Sequence, residues 1–236
     1  MQKAIVIDIG NSTTKIAWFL NGQVADKKSF NSEVNLSDLE NDFDTPIIIS
    51  AVGNRKKVKT DDFSHVLEFN HLSKIPIQNQ YHTPETLGLD RLAVAIAVAN
   101  HENALVIDLG TCITFDFIDQ ENNYQGGYII PGVQMRFKAM NNFTDKLPLI
   151  EDWKSFKEDF RAIGKSTKES MLYGVLFSVH AELEQMIKSL ASKYGEIKVY
   201  LTGGDADFFD LELKSSIFAD ENLVLQGLYK VLLHNQ

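Results

Sequence analysis

Val6-Ile7-Asp8-Ile9-Gly10-Asn11-Ser12-Thr13-Thr14 returns one hundred positions later as Val106-Ile107-Asp108-Leu109-Gly110-Thr111-Cys112-Ile113-Thr114. Each copy is a β-branched apolar strand that ends in Asp-x-Gly, passes through a small polar turn and enters a second strand. A buried strand delivers its carboxylate to a fixed place. The glycine lets backbone amides approach a bulky anion, and hydroxyl and amide side chains supply short hydrogen bonds. Two such hairpins facing each other would hold a nucleoside triphosphate and its metal from both sides. An isolated Asp-Gly is a common hairpin turn. A match across strand, turn and strand, recurring at a domain-sized spacing, points instead to a duplicated architecture.

The 236 residues suit one large domain or two small ones. The repeat favours two, 1–101 and 102–236, with the C-terminal helix packing back near the first. A hydrophobic fraction of 44% supplies real cores. The net charge of -9 argues against a general nucleic-acid binder, which needs a basic face to displace counterions from phosphates. An acidic chain that aims aspartates at a polyphosphate needs a cation, so a divalent metal is implied. The single cysteine, Cys112, rules out an intrachain disulfide and fits a reducing compartment. Met1-Gln2-Lys3 leads straight into a strand pattern without a signal-peptide layout. No apolar run reaches the ~18 residues of a membrane span. A cytoplasmic protein without membrane or nucleic-acid partners is expected.

Residues 3–8 and 14–20 read as a strand pair, 46–52 as a short buried strand and 65–69 as another. Spaced leucines among polar residues suggest a short helix within 31–45. Leu92 to Ala99 is small and apolar on every face, the pattern of a buried helix with close neighbours. The second half repeats the order, with strands at 104–109, 113–118 and 124–130. A long helix follows, carrying Leu172, Val175, Leu176, Val179, Leu183, Met186, Ile187 and Leu190 at helical spacing. Ser166 with Glu169 forms a capping-box pattern at its start, and Gly195 marks its stop. A strand at 198–201 runs into Gly203-Gly204-Asp205, and Leu223 to Leu233 reads as a last helix.

Strand hairpin, strand and helix, then the same again with an Asp-x-Gly turn in each half, resembles the fold shared by actin, sugar kinases and the Hsp70 ATPase domain. The resemblance implies an α/β fold of duplicated actin/ribonuclease H-like domains with a nucleotide cleft between them. Further motifs sharpen it. Gly88-Leu89-Asp90-Arg91 follows Tyr81 by seven residues, and Gly126-Gly127-Tyr128-Ile129-Ile130-Pro131-Gly132 follows the second hairpin. Gly164-Lys165-Ser166-Thr167 opens the long helix, and Leu201-Thr202-Gly203-Gly204-Asp205-Ala206 comes late. In this order and spacing the set resembles the type III pantothenate kinases over roughly residues 5 to 230. That resemblance implies ATP-dependent phosphorylation of pantothenate to 4′-phosphopantothenate, Mg²⁺ with the nucleotide and a requirement for K⁺ or NH₄⁺. It also implies a homodimer with the substrate pocket near the subunit interface.

Asp8, Ile9, Gly10, Asn11, Ser12, Thr13 and Thr14 then make the first phosphate turn of the ATP site. Lys15 either touches a phosphate or is simply solvated. Asp108, Gly110 and Thr111 make the second turn. The resemblance gives Asp108 a monovalent cation and Thr111 a contact to ATP, whereas a turn threonine often bonds its own backbone instead. Gly203 and Gly204 either let adenine and ribose lie against the backbone or serve a turn that needs positive φ.

Asp90 is the candidate catalytic residue. The primary hydroxyl of pantothenate must lose a proton as it attacks the γ-phosphoryl group, and a carboxylate within hydrogen-bond reach can orient that hydroxyl and take the proton. A loose transition state tolerates a weak base, because the proton can leave late. Arg91 is a candidate bidentate clamp for the pantothenate carboxylate, or an exposed ion-pairing neighbour. Tyr81, Gly88, Leu89 and Thr167 fall at pantothenate-binding positions of the motifs; by themselves Tyr81 would read as a packing aromatic and Thr167 as a helix cap. Ser12, Leu89 and Cys112 stand where the family usually has threonine, alanine and alanine, and Cys112 reads as a small buried apolar side chain. The six histidines show no metal-ligand spacing. The alternative function is a nucleotide-binding regulatory protein of the same fold, akin to a transcription accessory factor, without kinase activity.

Overall fold

In the computed structural model the residues described are 3–10, 13–51, 57–156, 160, 162–209 and 217–236. The first half contains strands β1 (Lys3–Ile9), β2 (Thr14–Leu20), β3 (Gln23–Phe30), β4 (Val34–Asn35), β5 (Ile47–Ala51), β6 (Val58–Lys59), β7 (Val66–Glu68) and β8 (Gln78–Asn79), then helix α1 (Leu89–Val98). The second contains β9 (Ala104–Leu109), β10 (Cys112–Ile118), β11 (Asn123–Pro131), α2 (Val133–Asn142), α3 (Thr167–Tyr194), β12 (Lys198–Thr202), β13 (Ile217–Ala219) and α4 (Leu223–His234). Contacts divide the chain into two units. One is 1–101 with 118–126 and 222–236; the other is 102–117 with 127–221.

The sheet of the first unit has the order β3-β2-β1-β5-β7, with β1 antiparallel to β2 and parallel to β5. In the second unit the strands run β11-β10-β9-β12-β13, with β12 parallel to both β9 and β13. The two orders are the same pattern: a three-strand meander that adds parallel strands on the far side of its first strand. The sequence repeat is therefore a repeat of topology. β8 pairs with Asn123 and Tyr124 of β11 inside the first unit.

Both repeated strands are buried on both faces, which is why they read as unbroken apolar runs and not as alternation. Ile5, Ile7 and Ile9 pack with Ile16, Leu36, Ile47 and Ile49, while α4 packs on β1 and β5. Helix α4 also lies along α1. The alanines of α1 allow a close approach, and at Gly227 of α4 a β-carbon would overlap the Ala93 carbonyl. In the second unit Leu105, Ile107 and Leu109 pack with Leu172, Leu176, Val179, Leu183 and Ile187 of α3. At the start of α3 the Glu169 amide donates to Ser166 Oγ at 3.2 Å, and Glu169 Oε2 accepts from the Lys165 amide at 2.7 Å. The first bond is the Ser166–Glu169 half of the capping box read from the sequence, while the Glu169 carboxylate reaches one residue further back, to Lys165. Gly195 ends the helix at φ 85°.

Several elements depart from the sequence reading, among them the short strands β6, β8 and β13, where the sequence predicts none. The helix expected within 31–45 is replaced by β4 and a 3-10 turn, Leu36–Asp38. Side chains there bond locally: Glu40 Oε1 accepts from the amides of Asn41 and Asp42, both at 2.9 Å, which competes with helix formation. Strand β3 went unread because it is an exposed sheet edge rich in Asp and Lys, a composition that discourages further pairing. Helix α2 went unread because it buries only Val133 and Phe137.

Candidate active site

The first hairpin brings its carboxylate into an unusual setting. Asp8 lies opposite Lys15 on β2 and Ser50 on β5 in the strand register. Burial pushes the Asp8 carboxyl up from 3.8 to about 6; the Lys15 charge opposes this and the Asp90 charge adds to it. Asp8 and Asp90 are therefore electrostatic neighbours within the first unit, although 82 positions separate them in the chain. The Gly10 amide donates to the Thr13 carbonyl at 3.0 Å and closes the turn. Thr13 Oγ1 donates to Asn31 Oδ1 at 3.2 Å. Asn11 and Ser12, read as phosphate-turn residues, lie outside the described residues.

Two hydroxyls beside this turn are buried without a hydrogen-bond partner among the described residues, Thr14 Oγ1 and Ser50 Oγ. An orphaned buried hydroxyl is costly and calls for a reason. Thr14 was in the sequence reading; Ser50 was not. Its only signal was a lone polar residue inside the apolar run Ile47-Ile48-Ile49-Ser50-Ala51.

Asp90 is exposed in the first turn of α1, after Gly88 at the N-cap. Its Oδ1 accepts from the Arg91 amide at 2.9 Å and lies over Gly88, where a β-carbon would sit 2.5 Å away. Arg91 is 7% exposed, so the reading of it as an exposed neighbour is corrected. Tyr81 is partly buried, with its ring against Gly126 and 6.2 Å from the Tyr124 ring. The first unit thus holds Asp8, Lys15, Tyr81, Gly88, Leu89, Asp90 and Arg91.

The second hairpin is tighter than its sequence echo suggests. Its returning strand begins at Cys112, whereas β2 begins at Thr14, and the Gly110 amide donates to the Cys112 carbonyl at 3.1 Å. The Thr111 carbonyl accepts from the Gly132 amide at 3.2 Å. Thr111 is exposed, and among the described residues its hydroxyl makes no hydrogen bond to its own turn. Gly203 has φ 92°, and a β-carbon there would overlap Asp108 Oδ1 and the Leu109 carbonyl. Positive φ and close approach both require glycine at this position. Gly204 differs: a β-carbon there meets nothing within 4 Å. The Asp205 amide donates to the Leu109 carbonyl at 3.0 Å and ties this turn to the end of β9.

Thr167 is the first residue of α3, not its cap, which is Ser166. It lines an open cavity of about 670 Å³ with Gly164, Lys165, Ser166, Ser170 and Gly174. Among the described residues no group of three or more His, Cys, Asp and Glu side chains is placed to hold a metal ion, and no helix is long and apolar enough to cross a membrane.

Known proteins share this fold. A glucokinase from an Antarctic psychrotroph is 13% identical, with 100% of both chains covered and a TM-score of 0.55. A Campylobacter jejuni protein assigned to the Baf family of transcriptional activators is 22% identical, with 98% of both chains covered and a TM-score of 0.62. At these identities the likeness is one of fold, the sugar-kinase type of two-domain α/β architecture. Sequence relatives go further. The type III pantothenate kinase of Phocaeicola vulgatus is 39% identical over 242 aligned residues, 98% of each chain. The family model for type III pantothenate kinase matches residues 4–189. The chain belongs to the type III pantothenate kinase family.

Proposed function

We infer that this chain transfers the γ-phosphoryl group of ATP to pantothenate, giving 4′-phosphopantothenate and ADP, in the biosynthesis of coenzyme A. The observation that supports this most strongly is the match to type III pantothenate kinases over nearly the whole chain; Asp8, Asp90 and Arg91 fall within one unit of the fold. Asp90 orients the primary hydroxyl and receives its proton late in transfer. Arg91 pairs with the pantothenate carboxylate, and Tyr81, Gly88, Leu89 and Thr167 line the acceptor. Asp8, Ile9, Gly10, Asn11, Ser12, Thr13, Thr14 and Lys15, with Thr111, Gly203 and Gly204, bind ATP. The halves 1–101 and 102–236, with the last helix returned to the first, each contribute residues to both sets.

Enzymes of this family are ATP-dependent and usually use a divalent metal. Asp8 fits that ion: its ionised form is disfavoured by burial, and a cation beside it would offset that cost. The Ser50 hydroxyl, without a hydrogen-bond partner among the described residues, adds a neutral oxygen on the adjacent strand. Mg²⁺ held by one or two carboxylates and the phosphates would neutralise charge on the transferring group. We assign Asp108 to a monovalent cation, K⁺ or NH₄⁺, and propose a homodimer in the cytoplasm.

The test is direct. Purified protein with pantothenate, ATP, Mg²⁺ and K⁺ yields 4′-phosphopantothenate, and Asp90→Asn lowers kcat about 10²–10⁴-fold while still binding nucleotide. Background turnover by the unaltered protein rejects the function. Undiminished turnover by Asp90→Asn rejects only the base.

A further inference from the structure

We propose that Lys154 is a positioning residue for the nucleotide, holding the Gly203-Gly204-Asp205 turn in its binding conformation. The inference rests on the assignment of that turn to ATP and adds a residue to it. Lys154 lies in a 3-10 turn, Trp153–Ser155, about fifty positions from its partners. Its Nζ donates to the Gly204 carbonyl at 2.7 Å and pairs with Asp205 Oδ1 at 2.6 Å. The same ammonium lies 5.5 Å from the centre of the Trp153 ring. Trp153 is 3% exposed and meets the edge of Phe208, just past the turn, at 5.0 Å.

The turn is thus held from two directions. On one side the Asp205 amide bonds the Leu109 carbonyl, and Gly203 presses on Asp108 and Leu109 of β9. On the other, Lys154 grips one carbonyl and one carboxylate of adjacent residues. Gly204, between these grips, faces open space. Lys154 also has an electrostatic effect. The Asp205 side chain is only 15% exposed, and its charge would repel an incoming polyphosphate. The Lys154 ammonium, on a side chain 55% exposed, offsets part of that charge.

A lysine that only stabilises the fold would not separate the two substrates, so the test is a split of kinetic constants. Lys154→Met keeps the alkyl stem over Trp153 and removes the charge. The expected result is an increase of about three- to tenfold in KM for ATP, the size of a part-exposed charged hydrogen bond. KM for pantothenate and kcat should stay within about twofold, with restoration by Lys154→Arg. Gly204→Val serves as the reference. The φ of Gly204 lies outside the left-handed region and its β-carbon has room, so the variant folds while crowding the nucleotide. If Gly204→Val raises KM for ATP and Lys154→Met does not, the role of Lys154 is overturned. If neither does, the assignment of the turn to ATP falls and Lys154 with it. If Lys154→Met lowers Tm and worsens all the constants together, the residue is structural and the proposal is again overturned.

Discussion

Replacing Asp8 by asparagine should make the nucleotide-free protein more stable while removing function. The native carboxyl titrates at about 6, against 3.8 for an unperturbed aspartate. Between those values the folded state binds more protons than the unfolded state, so stability falls as pH rises through the window and stays reduced above it. A shift of this size corresponds to at most about 3 kcal/mol at roughly 1.4 kcal/mol per unit. Asp8 as a residue is half-buried, and relaxation and residual solvent around it reduce the expected cost to about 1–2 kcal/mol. Asparagine keeps the shape without the charge. At pH 8 the variant should melt about 2–6 °C higher than the parent, and the gap should narrow as pH falls through about 6 and close only below about 3.8. Thermal unfolding across that pH range, without nucleotide or metal, measures it. Adding Mg²⁺ and ATP should stabilise the parent and leave the variant nearly unmoved. A variant less stable than the parent at pH 8, or a gap independent of pH, would refute the claim that Asp8 holds its charge at a cost to the fold.

Two further substitutions probe neighbouring features. Gly227→Ala drives a methyl into the Ala93 carbonyl where α1 and α4 meet, and should cost about 2–3 kcal/mol in urea unfolding; unchanged stability would show that the helices can move apart freely. Ser50→Ala removes a buried hydroxyl that lacks a partner, so the nucleotide-free protein should be unchanged or up to about 1 kcal/mol more stable. The same variant should need more Mg²⁺ for half-maximal activity, and an unaltered Mg²⁺ requirement would remove Ser50 from the site.

The strands that matter most were legible because they are buried on both faces. After Lys3-Ala4 and Ala104, β1 and β9 are short runs of Val, Ile and Leu broken only by their aspartates, the β-branched composition of a strand buried on both faces. The cap of α3 was legible because Ser166 and Glu169 stand at the fixed spacing that lets the serine hydroxyl accept from the Glu169 amide. β3 and α2 were not, because an edge strand and a helix with one short apolar contact carry no periodic signal. The site divides in the same way. Asp8, Asp108 and Asp90 stand out by their motifs. Ser50 and Lys154 do not, since a serine in an apolar strand and a lysine in a polar loop gain meaning only from the residues that folding brings beside them. The near-identity of the repeats also misled in one respect: equal sequence spacing concealed hairpins of different length, with β10 starting earlier in its copy than β2 does in its own.

The most direct test of the account follows the phosphoryl group itself. The protein is incubated with pantothenate, Mg²⁺, K⁺ and ATP labelled at the γ-phosphorus, and the products are resolved by phosphorus NMR and mass spectrometry. The account predicts that the label appears on the 4′-oxygen of pantothenate, one for each ADP formed. Label confined to ATP, or released as inorganic phosphate whether or not pantothenate is present, would contradict it.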